Sequence, residues 1–389
     1  MKKSLIALAV FGMFTGAALA DGNSVTLYGK IDAGLVHLTG LNNGAGGAVS
    51  STGLESGITG GDRIGVKGTE DLGGGLKVLF DAETGFCGTG YNQNLSVGAT
   101  GKQSFCTGSG YFMGRQAYVG LTGDFGTVLA GRLYDAIFGA EATLDPFGAG
   151  YTGQSANLDV TVGQLGLIRS NQALAYVTPN LSGFTGTAAY VFAAGAGTIP
   201  GATPGTSNVP RAVDLKGEYA NGPIYAVLDY AQVQNAIANP TTLVNDGKIK
   251  TWLAGASYDF GVAKVVAEYQ TAKKDYWDGK TDFWLVGATV PVGAGSIMMS
   301  YGNAKSTLTD AASPLAAGTA KQYAIGYTYS LSKQTSLYTS YAHLTNESAS
   351  ASLSGTSFGV GTATDGIGAG TGVTGNASSG FALGIVHNF

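Results

Sequence analysis

Apolar and polar residues alternate along the first clear element of this chain. In SVTLYGKIDAGLV (24–36), Val25, Leu27, Gly29, Ile31, Ala33 and Leu35 share one face; Ser24, Thr26, Tyr28, Lys30, Asp32 and Gly34 share the other. A period of two is that of a β-strand, whose side chains point to opposite faces in turn. The pattern recurs. Ile64 and Val66 lie opposite Arg63, Gly65 and Lys67, and Leu76, Val78, Phe80 and Ala82 lie opposite Lys77, Asp81 and Glu83. Soluble sandwiches alternate as well. Here the polar faces are often Gly, Ser and Thr, which suits a lumen holding water, and apolar-out, polar-in strands are the signature of a transmembrane barrel.

Seven short turns punctuate the strands: TEDLGGG (69–75), TGDFG (122–126), TPNLSG (178–183), ANGP (220–223), YDFG (258–261), VPVGAG (290–295) and SLSKQ (330–334). Their Gly, Asn, Asp and Pro supply tight-turn geometry. With both termini on the same side, seven such turns predict eight hairpins and sixteen antiparallel strands in an all-β barrel. The last three strands are expected at 320–330, 334–344 and 380–389, with 345–379 as the last long connection. Short turns face the periplasm and long connections the exterior. One long connection departs from the rest. GRLYDAIFGAEATLDPFGAG (131–150) carries acids, a proline and aromatics with no clean period.

Composition narrows the class. Glycine supplies 64 of 389 residues and charged residues only 12%, about half the usual share. This argues for one unusual domain rather than two ordinary ones. Residues 1–20 read as a signal peptide: basic Lys2 and Lys3, an apolar run too short to span a bilayer, then Ala18, Leu19 and Ala20 before a cut. Polar, Gly-rich sequence follows at once, which argues against an anchor. The barrel then occupies 21–389. No later segment offers ~18 consecutive apolar residues. Export, mild hydrophobicity and the lack of such a segment place the chain in a Gram-negative outer membrane.

A formal net charge of −4 with dispersed basic residues excludes a nucleic-acid binder. Cys87 and Cys106 are expected to form a disulfide after export, closing a loop of about 20 residues and contributing roughly 3 kcal/mol. Free thiols or metal ligands are the alternative, though no His lies near them to complete a metal set. His37, His343 and His387 fall on different strands. No catalytic constellation, metal cluster or phosphate loop is visible, so neither an enzyme nor a cofactor is expected. An adhesin working through its external loops is the other alternative, but the long loops are bland and lack aromatic clusters.

Several stretches, in order, resemble the general trimeric porins of β-proteobacteria and Neisseria. They are VTLYGKIDAGL, DRIGVKGTEDLGGGLKVLFDAETGF, GRQAYVGLTGDFGTVLAGR, RSNQALAYVTPNLSGF, YDFGVAKVVAEY and YSLSKQTSLY. The resemblance implies a homotrimer of sixteen-stranded barrels amid outer-membrane lipid and lipopolysaccharide, passing ions and small hydrophilic solutes by diffusion. It also implies a third external loop folded into the lumen. The last strand, GFALGIVHNF, ends on Phe389 and resembles the signature read by the barrel assembly machinery.

By that resemblance the departing segment is the inward loop (133–168), and its acids Asp135, Glu141 and Asp145 are expected to face basic wall residues across a constriction. Arg63, Lys67 and Lys77 are lumen-facing by alternation. Arg115 shares parity with Ala117 and Val119, which leaves its side open. Arg132 shares parity with Val128 and Ala130, which points to lipid unless Gly131 carries a bulge. Each acid is alternatively an ordinary loop carboxylate, and Asp145 before Pro146 alternatively stabilises a turn. The apolar LDVTVGQLGLI before Arg169 is expected to pack on the wall. Basic groups outnumber loop acids, which leans the channel towards anions.

Overall fold

A computed structural model describes residues 23–42, 48–89, 112–158, 168–192, 211–238, 245–276, 278–307, 318–347, 357–360, 370–372 and 377–389. The leader (1–20), Cys106 and stretch 159–167 lie outside the described residues. The strands are β1 (Ser24–Asn42), β2 (Ala48–Ser56), β3 (Asp62–Gly73), β4 (Leu76–Phe86), β5 (Gln116–Gly123), β6 (Gly126–Tyr134), β7 (Arg169–Val177), β8 (Phe184–Val191), β9 (Arg211–Asn221) and β10 (Ile224–Ala238). There follow β11 (Asn245–Asp259), β12 (Lys264–Lys274), β13 (Thr281–Val292), β14 (Gly295–Ser306), β15 (Gly318–Ser330), β16 (Thr335–Glu347), β17 (Ser357–Gly359), β18 (Gly370–Gly372) and β19 (Ala377–Asn388). One helix, α1 (Ala136–Leu144), follows β6.

All seven predicted short turns join consecutive antiparallel strands. The sheet closes where β19 pairs with both β16 and β1, the latter from Lys30↔Asn388 to Thr39↔Ser379. β2 and β3 make a single stave: β1 pairs with β3 over Ser24–Lys30 and with β2 over Ala33–Asn42. β17 and β18 lie in the last long connection, where Gly372 pairs with Leu41 of β1. The result is a closed barrel of sixteen staves, as alternation and turn count predict.

The second stave differs from its expected form. Gly57, Gly60 and Gly61 hold φ of +74°, +104° and +84°, and the Gly61 N–H donates to the Gly57 carbonyl at 2.8 Å. The chain leaves the wall, turns and re-enters. Left-handed backbone of this kind costs glycine little. Alternation starting at Arg63 gives no sign that β2 continues the same stave.

Most outward positions in the middle of the strands are exposed and apolar. Among the described residues a belt of rings crosses the external half of β10 to β19: Tyr230, Trp252, Tyr269, Trp284, Tyr301, Tyr323, Tyr341 and Phe381, on consecutive staves. Phe125, Phe184, Tyr258, Phe260, Tyr329 and Phe389 sit at the short-turn end. Two aromatic girdles around an aliphatic band are what a bilayer-spanning barrel requires.

The chain end helps to seal the barrel. Gly29 N–H donates to the Phe389 carbonyl at 3.0 Å and Phe389 N–H returns to Gly29 at 3.1 Å. A Cβ on Gly29 would lie 2.3 Å from the Phe389 ring and 2.7 Å from the Arg63 carbonyl oxygen. Gly29→Val is therefore expected to destabilise the barrel by roughly 1–3 kcal/mol through overpacking. Thermal unfolding in detergent micelles checks this, and an unchanged midpoint would show that the seam tolerates the side chain.

Candidate functional site

After Tyr134 the chain turns into the lumen. The Asp135 N–H donates to the Ile168 carbonyl at 3.2 Å, which ties the two ends of the connection together. α1 lies along the inner faces of β9 to β12. Its Ile137, Ala140 and Leu144 are buried in one cluster with Val227, Ala231 and Leu253 of the wall. From Asp145 onward the chain crosses the inner faces of β13 to β16. Phe147 and Leu158 join a second buried cluster with Phe283, Leu285, Met298 and Ala324. Burying Ile137, Leu144, Phe147 and Leu158 stabilises the loop by roughly 1.5–3 kcal/mol each.

The wall is shaped to receive this loop. A Cβ on Gly255 of β11 would lie 2.2 Å from Leu144, and one on Gly287 of β13 would lie 2.4 Å from Pro146. Polar contacts fix the far end. Thr152 Oγ1 and Ser340 Oγ are 2.8 Å apart, and Asn157 Nδ2 donates to Gln322 Oε1 at 2.8 Å. The Tyr151 N–H reaches the Ile58 carbonyl at 2.6 Å, within the break between β2 and β3. The inward loop therefore runs from β6 round to the second stave.

The three loop acids are engaged by the loop and the wall it covers. Asp145 Oδ1 accepts the Phe147 N–H at 2.9 Å, and Oδ2 accepts those of Ala149 (3.1 Å) and Ser155 (2.9 Å). This is the turn-stabilising alternative for Asp145. Glu141 Oε1 accepts the Ser155 hydroxyl at 2.7 Å. Asp135 is buried where α1 begins, and there the Ile137 N–H donates to Asp214 Oδ2 of β9 at 3.2 Å. A helix start leaves such N–H groups without intrahelical partners, and the wall carboxylate takes one. Burial, with the Asp214 charge nearby, pushes the Asp135 carboxyl up to about 8.

The opposite wall, β3 to β7, carries the basic groups. Arg115 turns inward and is 2% exposed, and its Nε meets Glu83 Oε1 at 2.7 Å. Its terminal nitrogen donates to the Tyr134 hydroxyl at 2.8 Å, as does that of Arg169. The Arg169 guanidinium also lies over the Tyr134 ring, 4.6 Å from its centroid. Arg63 is 3.6 Å from Glu83, and its side chain stays 31% exposed. Lys67 sits over the Tyr28 ring at 4.9 Å, and the Tyr28 hydroxyl donates to Asp81 at 2.8 Å. Lys77 is exposed near the short-turn end, opposite Thr122.

Arg132 keeps its lipid-side parity, opposite Ala117. Gly131 has φ +144° and the register shifts between Gly131 and Leu133, which is the bulge expected there. The Arg132 guanidinium donates to the Gly114 carbonyl and to Asn171 Oδ1, each at 2.6 Å. These acceptors satisfy a charge that would be costly facing hydrocarbon.

Sequence reasoning passed over Arg169 as a wall cation, though it opens a strand directly opposite Tyr134. It also passed over the buried acids Asp214 and Asp229 beneath α1. Alternation along β9 and β10 places both inward and is the signal that finds them.

A family model described as Gram-negative porin matches residues 5–350. The chain belongs to this family. It is 33% identical over 394 residues to outer membrane porin protein 32 of Delftia acidovorans, with all of both chains covered. It is 34% identical over 282 residues to an outer membrane porin protein of Bordetella pertussis, covering 69% of each. Its fold matches the anion-selective porin from Comamonas acidovorans with a TM-score of 0.74 and 30% identity, over 94% of this chain and 100% of that one. The protein is an outer-membrane porin, a water-filled barrel for passive diffusion of ions and small hydrophilic solutes.

Two outcomes follow from the loop's construction. Asp145→Ala leaves three loop N–H groups without their acceptor and should destabilise the loop by about 1–3 kcal/mol. Faster protease cleavage within 135–158 and noisier single-channel currents are expected; wild-type behaviour in both would remove Asp145 from the loop's support. Asp135→Asn tests the raised carboxyl. An acid raised in the folded state favours folding fully below its unfolded value near 4, and that advantage fades as pH rises through about 8. The thermal stability of Asp135→Asn relative to wild type should therefore climb between pH 4 and 8 and then level off. A flat difference would count against it.

Proposed function

We propose that the inward loop (133–168) is the channel's constriction and that the constriction favours anions. The observation that carries this is the asymmetry across the lumen. Glu141 and Asp145 are tied by hydrogen bonds within the loop. Asp214 and Asp229 are buried beneath α1. On β3 to β7, Arg63, Lys67, Lys77, Arg115 and Arg169 outnumber the inward acids Asp71, Asp81 and Glu83 and the buried Asp62, and Arg63 remains open to a passing ion. Low-dielectric walls focus such a field, and fixed charge along a narrow pore sets ion preference. The likeness to a porin named as anion-selective supports the same reading.

The proposal extends to a homotrimer. Where the external belt of rings spans β10 to β19, the outer faces of β1, β2 and β5 present Leu35, Leu54, Val119 and Leu121. Among the described residues these three outer faces carry no Phe, Tyr or Trp ring in their external half, which suits contact with neighbouring protein better than contact with lipid headgroups. Cleavage of residues 1–20, a Cys87–Cys106 cross-link in the second external connection and recognition of Phe389 by the assembly machinery complete the reading.

Reversal potentials across a planar bilayer in a salt gradient test the selectivity. The wild type is expected to favour chloride over potassium, and Arg63→Gln with Lys67→Gln should shift the potential towards cation preference. A wild-type channel that prefers potassium overturns the proposal.

A further inference from the structure

Shared acceptors link three guanidiniums of the basic wall into a chain. Glu83 takes Arg63 at 3.6 Å and Arg115 at 2.7 Å. The Gly60 carbonyl, at the break in the second stave, accepts from the same two, at 3.2 and 3.4 Å. Arg169 joins them through Tyr134. The Tyr134 hydroxyl oxygen accepts one N–H from Arg115 and one from Arg169, each at 2.8 Å. A hydroxyl has two acceptor lone pairs, and here both go to cations. The register shift after Gly131 is what sets Tyr134 directly opposite Arg169.

The acceptors differ in what they leave behind. Glu83 is a carboxylate, so it offsets part of the positive charge it holds. A hydroxyl carries no charge, yet bonds from ionised donors are the strong ones. It can therefore keep two like charges side by side without subtracting from them. The ring of Tyr134 has separate work. Phe138 of α1 stacks on it with centroids 5.6 Å apart and 15° between the planes. Ring and hydroxyl thus serve different partners: the ring meets the inward loop, and among the described residues the hydroxyl bonds to the two arginines.

We propose that Tyr134 is a positioning residue for ion preference, its uncharged hydroxyl holding the Arg115 and Arg169 guanidiniums together at the constriction without offsetting their charge. The inference rests on the anion-favouring constriction proposed above and names a residue that sets it. Like charges repel. Without the common acceptor the two side chains separate, Arg115 staying with Glu83 and the Gly60 carbonyl, and the field that the low-dielectric walls focus at the waist weakens.

Tyr134→Phe removes the hydroxyl and keeps the ring. Reversal potentials across a planar bilayer are read for wild type, Y134F, R169Q and the double variant, in salt gradients centred near about 0.1 M and about 1 M. At the lower salt, Y134F should reduce the chloride-to-potassium permeability ratio roughly twofold, while the ring stack keeps the thermal unfolding midpoint at its wild-type value. At the higher salt the screening length falls to about 3 Å, and the difference from wild type should vanish; a change in pore shape would persist. In the R169Q background Y134F should shift the ratio less, because the hydroxyl acts through that cation. An unchanged or larger ratio in Y134F overturns the proposal, as does a difference that survives the higher salt or effects of the two substitutions that simply add. The wild type separates this inference from the reading beneath it. A wild-type channel that prefers potassium, with Y134F moved still further towards potassium, overturns the anion preference and leaves the role of Tyr134 standing. A wild-type channel that prefers chloride, with Y134F unmoved, does the reverse.

Discussion

A backbone N–H or C=O left unpaired in hydrocarbon costs several kcal/mol, and this rule governs the whole molecule. It explains why β19 returns to β1 and why the carboxyl-terminal residue bonds back to Gly29 rather than trailing free. It also limits where the chain can leave the wall. The excursion between β2 and β3 turns inward, bonds to itself at Gly57, and meets Tyr151 of the inward loop at Ile58. An outward excursion at that level would expose the same groups to lipid.

Closure creates a lumen, and the connection after β6 enters it. A loop in water would have to bear the entropy of its own ordering. This one is held by two apolar clusters and by wall positions reduced to glycine, so it behaves as a lining of the barrel. Gly255 and Gly287 matter here through missing volume: any side chain would hold Leu144 or Pro146 off the wall. The loop's acids belong to the same solution. Asp145 gathers three N–H groups that a tight irregular turn would otherwise leave buried and unpaired.

Most of the fold was legible from the sequence because membrane barrels write it at period two. Ile31, Leu35 and Phe80 face outward where alternation put them, and Asp81 and Glu83 face inward. The turns were legible because tight turns need Gly, Asn, Asp or Pro. The second stave was not, because its break depends on glycines that look like any others in so glycine-rich a chain. Helix α1 was hidden as well. It has nine residues, no side-chain cap and hardly any amphipathic pattern, since Gly139 and Glu141 stand on its buried side and Phe138 on the less buried one. The basic cluster was half visible. Arg63 and Lys67 follow from parity, but Arg115 lies just before its strand, and the role of Tyr134 as common acceptor for Arg115 and Arg169 depends on three segments meeting.

The proposed basic constriction is compatible with an acidic chain. Exposed charges farther away than about 8–10 Å are largely screened at ordinary salt, so acids on distant loops act weakly at the waist. Carboxylates near the waist count by what they face. Those of Asp145 and Glu141 point at loop hydrogen-bond donors, which diminishes the field they send across the lumen. Glu83 is shared between Arg115 and Arg63, so one acid offsets part of two cations. Arg63 is the partner of that pair that stays partly open to solvent. Under that proposal, ion preference is set by which charges the fold has already consumed, and a net count over the sequence does not contain that information.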